Sequence, residues 1–238
     1  MGDRGPADLS SDQDQHHRSQ SEAQPRAEPV VLDARAGYGI EWAAEHLIGG
    51  GIIALPTDTV YGIGASLAHG DALRRIFAIK ERPLSKPLPI LLASAEALGS
   101  VALDLDERVT RLLARYWPGP LTVLLQGREG LPAEVTGPDG IIGARVPNHP
   151  VALELLERAG GAIAVTSANR SGEEPARTAE AVVESLGGAI GVVLDAGRTP
   201  GGVPSTVIAI QHDGPTILRD GAIPSEHLLA TWLEIAAG

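Results

Sequence analysis

Three cations, Lys80, Arg82 and Lys86, fall within seven residues of the segment Lys80-Glu-Arg-Pro-Leu-Ser-Lys-Pro-Leu88. Lys80 and Lys86 are also the only two lysines of the sequence, set against 17 arginines. Pro83 and Pro87 each fix φ and bar a continuing helix, so the cluster is stiff. A stiff positive run interrupted by one acid, Glu81, suits an anion, phosphate first, and a compact ammonium reaches places that a planar guanidinium cannot. Hydroxyls, an amide and glycines follow at the ends of apolar runs, in Leu55–Ala65 (LPTDTVYGIGA, with Thr57, Thr59 and Tyr61), Ala164–Gly172 (AVTSANRSG) and Gly201–Val207 (GGVPSTV). Such side chains hydrogen-bond polar substrate atoms without adding charge, and the glycines of the first segment suit a turn whose backbone approaches a ligand. Arg145 and Arg219 each close an apolar run with a cation.

Taken singly, these features read as a hairpin turn, a solvated charge run or a salt bridge at a strand end. Together they describe an open cavity lined by cations and hydroxyls. The chain has no cysteine, its seven histidines are scattered, and no GxxxxGK[ST], HExxH or GxSxG occurs. Gly62-Ile63-Gly64 does not extend to GxGxxG. Hydride transfer and Ser-His chemistry are therefore disfavoured. Attack on phosphorus fits, because positioning and charge neutralisation do most of its catalysis.

The elements that must hold these segments read as one α/β domain over residues 29–238. Apolar runs at 52–55, 88–92, 121–125, 141–146, 162–166, 191–194, 206–210 and 216–218 are short, rich in Val, Ile and Leu, and predict strands. Helical spacing covers 40–48, 71–79, 106–116, 150–159, 178–186 and 224–236, with Asp71, Asp106 and Thr178 as N-caps and Gly160 and Gly187 as stops. The last strands follow one another without a helix between them, which predicts a mixed sheet. Residues 1–28 are polar, acidic and nearly free of large apolar side chains, the composition of a disordered tail.

The 238 residues carry a formal net charge of -11, which opposes a broad electrostatic grip on nucleic acid. Aromatic residues are 3% of the chain, too few for a base-stacking surface. The lack of cysteine gives no sign of an oxidising compartment, no apolar run approaches the roughly 18 residues of a membrane span, and the N-terminus has no signal-peptide core. The expectation is a cytoplasmic protein without a membrane partner.

In order and spacing, Gly50–Ala65, Lys80–Leu88, Arg145–Pro150 (RVPNHP), Thr166–Gly172 (TSANRSG), Ser205–Ile208 (STVI) and Ile217–Ile223 (ILRDGAI) resemble the YrdC-like threonylcarbamoyl-AMP synthases. The resemblance spans roughly residues 30–225. It implies a twisted, open, mixed α/β sheet flanked by helices around a positively charged cavity. It also implies a nucleotidyltransferase that makes threonylcarbamoyl-AMP and pyrophosphate from L-threonine, bicarbonate or CO2, and ATP. The product feeds the transferase machinery that modifies tRNA to threonylcarbamoyladenosine, with weak tRNA contact at most. By the same resemblance the catalytic set is Lys80, Arg82, Ser167 and Asn169. Threonine falls to Thr59, Arg145, Ser167 and Ser205, and ATP to Arg82, Lys86, Ile141, Asn169, Arg177 and Arg219. Mg²⁺ is expected on the phosphates, with no metal ligand of the protein identifiable. The extra C-terminal domain of longer members is not expected. Three departures stand out: Asp220 where proline is frequent, Ala209 where an acid is common, and Leu91 where some members carry histidine. The alternatives are a non-catalytic module binding tRNA or double-stranded RNA, and the carbamoyl-transfer domain of hydrogenase-maturation proteins. The latter is part of longer chains with zinc fingers, which the lack of cysteine opposes.

Overall fold

A computed structural model describes Gly2 and residues 28–137, 139–211 and 213–237. The expected tail lies almost wholly outside the described residues. The strands are β1 (Val30–Asp33), β2 (Ile53–Leu55), β3 (Gly62–Ser66), β4 (Ile90–Leu92), β5 (Leu121–Gln126), β6 (Ile141–Arg145), β7 (Ala162–Ser167), β8 (Val192–Asp195), β9 (Thr206–Gln211) and β10 (Gly214–Arg219). The α-helices are α1 (Gly37–Ile48), α2 (Gly70–Lys80), α3 (Glu107–Tyr116), α4 (Pro150–Arg158), α5 (Ala179–Leu186) and α6 (Ser225–Ala237). All ten strands join one sheet in the order β1-β8-β2-β3-β7-β4-β6-β5-β9-β10. The sheet is mixed, as the missing last crossover helix predicts: β4 runs parallel to β6 and antiparallel to β7, and β9 and β10 pair antiparallel.

Alternation along the strands sorts side chains to two faces. Ile53 and Leu55 of β2, Leu91 of β4, and Val192 and Leu194 of β8 face α1 and α4, while Ala54, Ile90, Leu92 and Val193 face the cluster that includes α2, α3, α5 and α6. The α1 and α4 layer touches strands β1, β2, β3, β4, β7 and β8. Over β5, β6 and β9 the same face is bare, so Thr122, Leu124, Gly143 and Val207 line an open hollow instead of a helix interface. The cavity is thus the half of one sheet face that no helix covers.

Capping follows the sequence at two of three positions. Asp106 accepts a bond from the Arg108 N–H (2.7 Å) and Thr178 from the Ala181 N–H (3.3 Å). Asp71 instead lies inside the first turn of a helix that begins at Gly70. Two strands were not anticipated. β1 is a short edge strand with exposed valines. β3 contains the glycines read above as part of a turn: Gly62 and Gly64 pair with Ser167 and Val165 of β7. A Cβ on either would come within 2.5 or 2.7 Å of the Val165 side chain, so here glycine makes room for a neighbouring strand as well as bordering the cavity.

Candidate active site

The hollow has two adjoining parts. One, about 730 Å³ and open to solvent, is walled by the turn after β2 (Thr57, Thr59), the end of β7 (Ser167) and Arg145 at the end of β6. The other, about 1070 Å³, lies over the bare strands and includes Ser85, Ile141 and Val207. Arg82, Thr122, Ser205 and Arg219 border both.

Each arginine is held by oxygen atoms before any ligand arrives. At the end of α2, Glu81 takes a left-handed backbone (φ 53°), and the Arg82 N–H bonds back to the Phe77 carbonyl (2.9 Å), which turns the chain out of the helix. The Arg82 guanidinium then donates to the carbonyls of Lys86 (2.7 Å) and Pro87 (3.0 Å) in its own proline-stiffened loop. Arg219 donates to the Ser205 carbonyl (2.8 Å) and hydroxyl (3.1 Å), and that hydroxyl shares a 2.8 Å bond with Thr122. Arg145 donates to the Gly119 carbonyl (3.0 Å), the Thr59 hydroxyl (3.1 Å) and the Asp58 carboxylate. Burial pulls all three guanidinium pKa values down, and the charge of Arg219 adds to the effect at Arg82 and Arg145, while Asp58 opposes it at Arg145. The first hollow has no carboxylate among its lining residues. Its field therefore favours an anion.

The sequence-derived site divides here. Thr59, Arg145, Ser167 and Ser205, expected to seat one substrate, line the first hollow together, with Arg82 and Arg219. Ile141 lines the second. Lys80, Lys86, Asn169 and Arg177 line neither. The Lys80 ammonium is buried behind the cavity wall, where it donates to the carbonyls of Ser167 and Asn169 (both 2.5 Å) and to Asn169 Oδ1 (3.3 Å). Burial first, then the charge of Arg82, brings its pKa down to about 8, with Glu173 opposing. Asn169 spends its amide on the carbonyls of Arg170 (2.9 Å) and Glu173 (2.8 Å). Lys80 and Asn169 together tie down the loop that presents Ser167. Lys86 is exposed and contributes its carbonyl to Arg82. Arg177 donates to the Gly201 carbonyl (2.6 Å) while its Nε is buried without a partner, which makes it a brace behind the 199–205 loop. Asp220 turns away from Arg219 and accepts a bond from Ser225 at the start of α6. Thr122 and Asp58 were missed. Thr122 reads as one more residue of an apolar strand, and Asp58 was passed over among the hydroxyls of its own turn.

Comparison with known proteins bears on the identity of this fold. The profile of the Sua5/YciO/YrdC family, described as telomere recombination, matches residues 45–221. The chain belongs to the Sua5/YciO/YrdC family. Among members of that family, the threonylcarbamoyl-AMP synthase of Pyrococcus abyssi is 40% identical over 191 residues, covering 80% of this chain and 56% of the relative. That of Bacillus subtilis is 38% identical over 180 residues, covering 75% and 52%. The chain thus spans about half the length of these curated relatives. A crystal structure of P. abyssi Sua5 complexed with L-threonine superposes with a TM-score of 0.80 at 36% identity, over 86% of this chain and 61% of that one. The large twisted open sheet flanked by helices is the fold of this Sua5/YciO/YrdC relative too.

Proposed function

We propose that this chain condenses L-threonine, bicarbonate or CO2, and ATP into threonylcarbamoyl-AMP and pyrophosphate, for modification of tRNA by separate transferase proteins. The observation that carries the reading is the shared border: Arg82, Ser205 and Arg219 belong to two adjoining hollows at once. Threonine occupies the hollow of Thr59, Arg145 and Ser167, and ATP the one floored by Ile141 and Val207. Two relatives that cover most of this chain carry the name threonylcarbamoyl-AMP synthase, and the P. abyssi structure holds threonine.

In this mechanism the threonine ammonium loses a proton to solvent, the free amine adds to CO2, and the adduct gives up its second N–H proton to solvent to leave a carbamate anion. A carbamate oxygen then attacks the α-phosphorus; the new P–O bond forms as the bridging bond to the β-phosphate breaks, and pyrophosphate departs. Both partners are anionic, so repulsion dominates the barrier, and guanidinium groups at the border offset it. Arg82 and Arg219 face the reacting phosphate, Arg145 and Ser205 hold the amino acid, and Lys80 and Asn169 act through Ser167, whose loop they fix. Among the described residues no group of three or more His, Cys, Asp and Glu side chains could hold a metal. Asp139 is the one carboxylate lining the two hollows and their other charged and hydroxyl side chains are arginines, serines, threonines and Tyr61, a set too poor in carboxylates for a resident ion, so Mg²⁺ enters as the counter-ion of ATP. No described helix is long and apolar enough to cross a membrane. The cytoplasm, where ATP and tRNA reside, is the proposed compartment.

The test is pyrophosphate release from ATP with threonine and bicarbonate each present or withheld. Release that requires both supports the synthase. Tight binding of tRNA or double-stranded RNA without release would replace it with the RNA-binding module.

A further inference from the structure

Asp58 does not line either hollow, yet it is coupled to the deepest cation of the first. Its carboxylate is 11% exposed and its partner, the Arg145 side chain, 7%. The same oxygen that accepts from Arg145 also accepts from the backbone N–H of Asn148 (3.1 Å). Asp58 thus joins the turn after β2 to both ends of a short stretch leaving β6. Arg145 has five N–H donors. Three are engaged, by Gly119, Thr59 and Asp58, and two remain for a substrate. The direction of those two is set by the three fixed ones. We propose that Asp58 is a positioning residue that aims Arg145 at the carboxylate of the bound amino acid, an inference resting on the synthase reading above.

The physical ground is the cost of a buried, unpaired charge. With the carboxylate in place, the guanidinium is paired and locked beside Thr59. Without it, a nearly buried cation has lost its counter-ion and does better by turning toward solvent through the open cavity mouth, which vacates the seat. The adjacent His149 does not compete for the carboxylate, since burial lowers its pKa and keeps the ring uncharged near neutrality, against the pull of Asp58. The backbone is set for the same geometry. Gly201 packs on the Asp58–Thr59 turn so closely that a Cβ would lie 2.5 Å from the Asp58 carbonyl.

The test is steady-state pyrophosphate release by wild type, Asp58→Asn and Asp58→Glu, varying threonine and ATP in turn. Asp58→Asn, nearly isosteric and uncharged, is expected to raise KM for threonine by roughly tenfold or more while KM for ATP stays put. Asp58→Glu keeps the charge but moves it by one methylene, and is expected to raise KM for threonine by roughly threefold, again with ATP unmoved. A structural salt bridge alone would raise both constants together or neither. An unmoved threonine KM in Asp58→Asn, or equal rises for both substrates, overturns the proposal. Should Asp58→Asn fail to fold, Asp58→Glu decides, and a wild-type threonine KM there overturns it. A wild-type protein whose pyrophosphate release ignores threonine sinks the synthase reading and this inference together; threonine-dependent release with unmoved variants sinks this inference alone.

Discussion

Lys80 takes a positive charge into a cage of carbonyl oxygens, and its protonation is linked to folding. Its folded pKa of about 8 lies below the ordinary 10.5. Between those values the unfolded chain holds a proton that the folded protein has released, so stability contributed through Lys80 rises with pH across this window, and the full cost of burying the ammonium is present below it. Urea unfolding of wild type and Lys80→Met from pH 7 to 10.5 should show wild type gaining on the variant as pH rises, by about 3 kcal/mol at most. A flat difference would mean that the carbonyl cage fully offsets the burial. Arg82 is of another kind, since its guanidinium reaches the border of the two hollows. Arg82→Ala is expected to lower turnover at least tenfold, about 1.4 kcal/mol of barrier, and Arg82→Lys should recover little because the planar fork is lost. Wild-type turnover in Arg82→Ala would remove it from the reaction.

At the scale of the element, the site depends on loops that approach one another without intervening side chains. The 201–205 loop carries Ser205 and lies against Asp58 and Thr59, where a Cβ on Gly201 would sit 2.8 Å from the Thr59 Cα. Gly201→Ala should force Thr59 and Ser205 apart and weaken threonine binding by roughly tenfold, given what a displacement of about 1 Å costs a positioned group. Titration calorimetry with threonine would check this; wild-type affinity would show that the loop can yield. The loop after α2 works differently. Pro83 and Pro87 stiffen it and its own carbonyls hold Arg82, so its order is local and readable in sequence.

For the whole molecule, one sheet face is covered by α1 and α4 over part of its width and left open over β5, β6 and β9, and the opening is where the proposed reaction is placed. Every residue assigned a role lies at or beyond Thr57, and the first strand starts at Val30. Removing residues 1–28 should therefore leave pyrophosphate release within about twofold of the full chain. Loss of folding on truncation would show that the acidic segment supports the sheet. Much of this architecture is local and was legible in the residues: short apolar runs rich in Val, Ile and Leu place eight of the ten strands, and Asp106 and Thr178 cap their helices, while of the three cations in the stiff segment Arg82 reaches the cavity and Lys80 and Lys86 line neither hollow. What sequence could not supply was direction. Lys80 and Arg82 are two positions apart, yet one ammonium points into the wall and the other group into the cavity, because the helix ends between them. Gly62 and Gly64 look like a turn until Val165 of a distant strand claims the space of their missing side chains. Asp58 and Arg145 become partners only when β2 and β6, separated by β3, β7 and β4 in the sheet, lift their ends to the same rim. Composition and local stiffness set which chemistry was possible; long-range strand order decided which atoms face it.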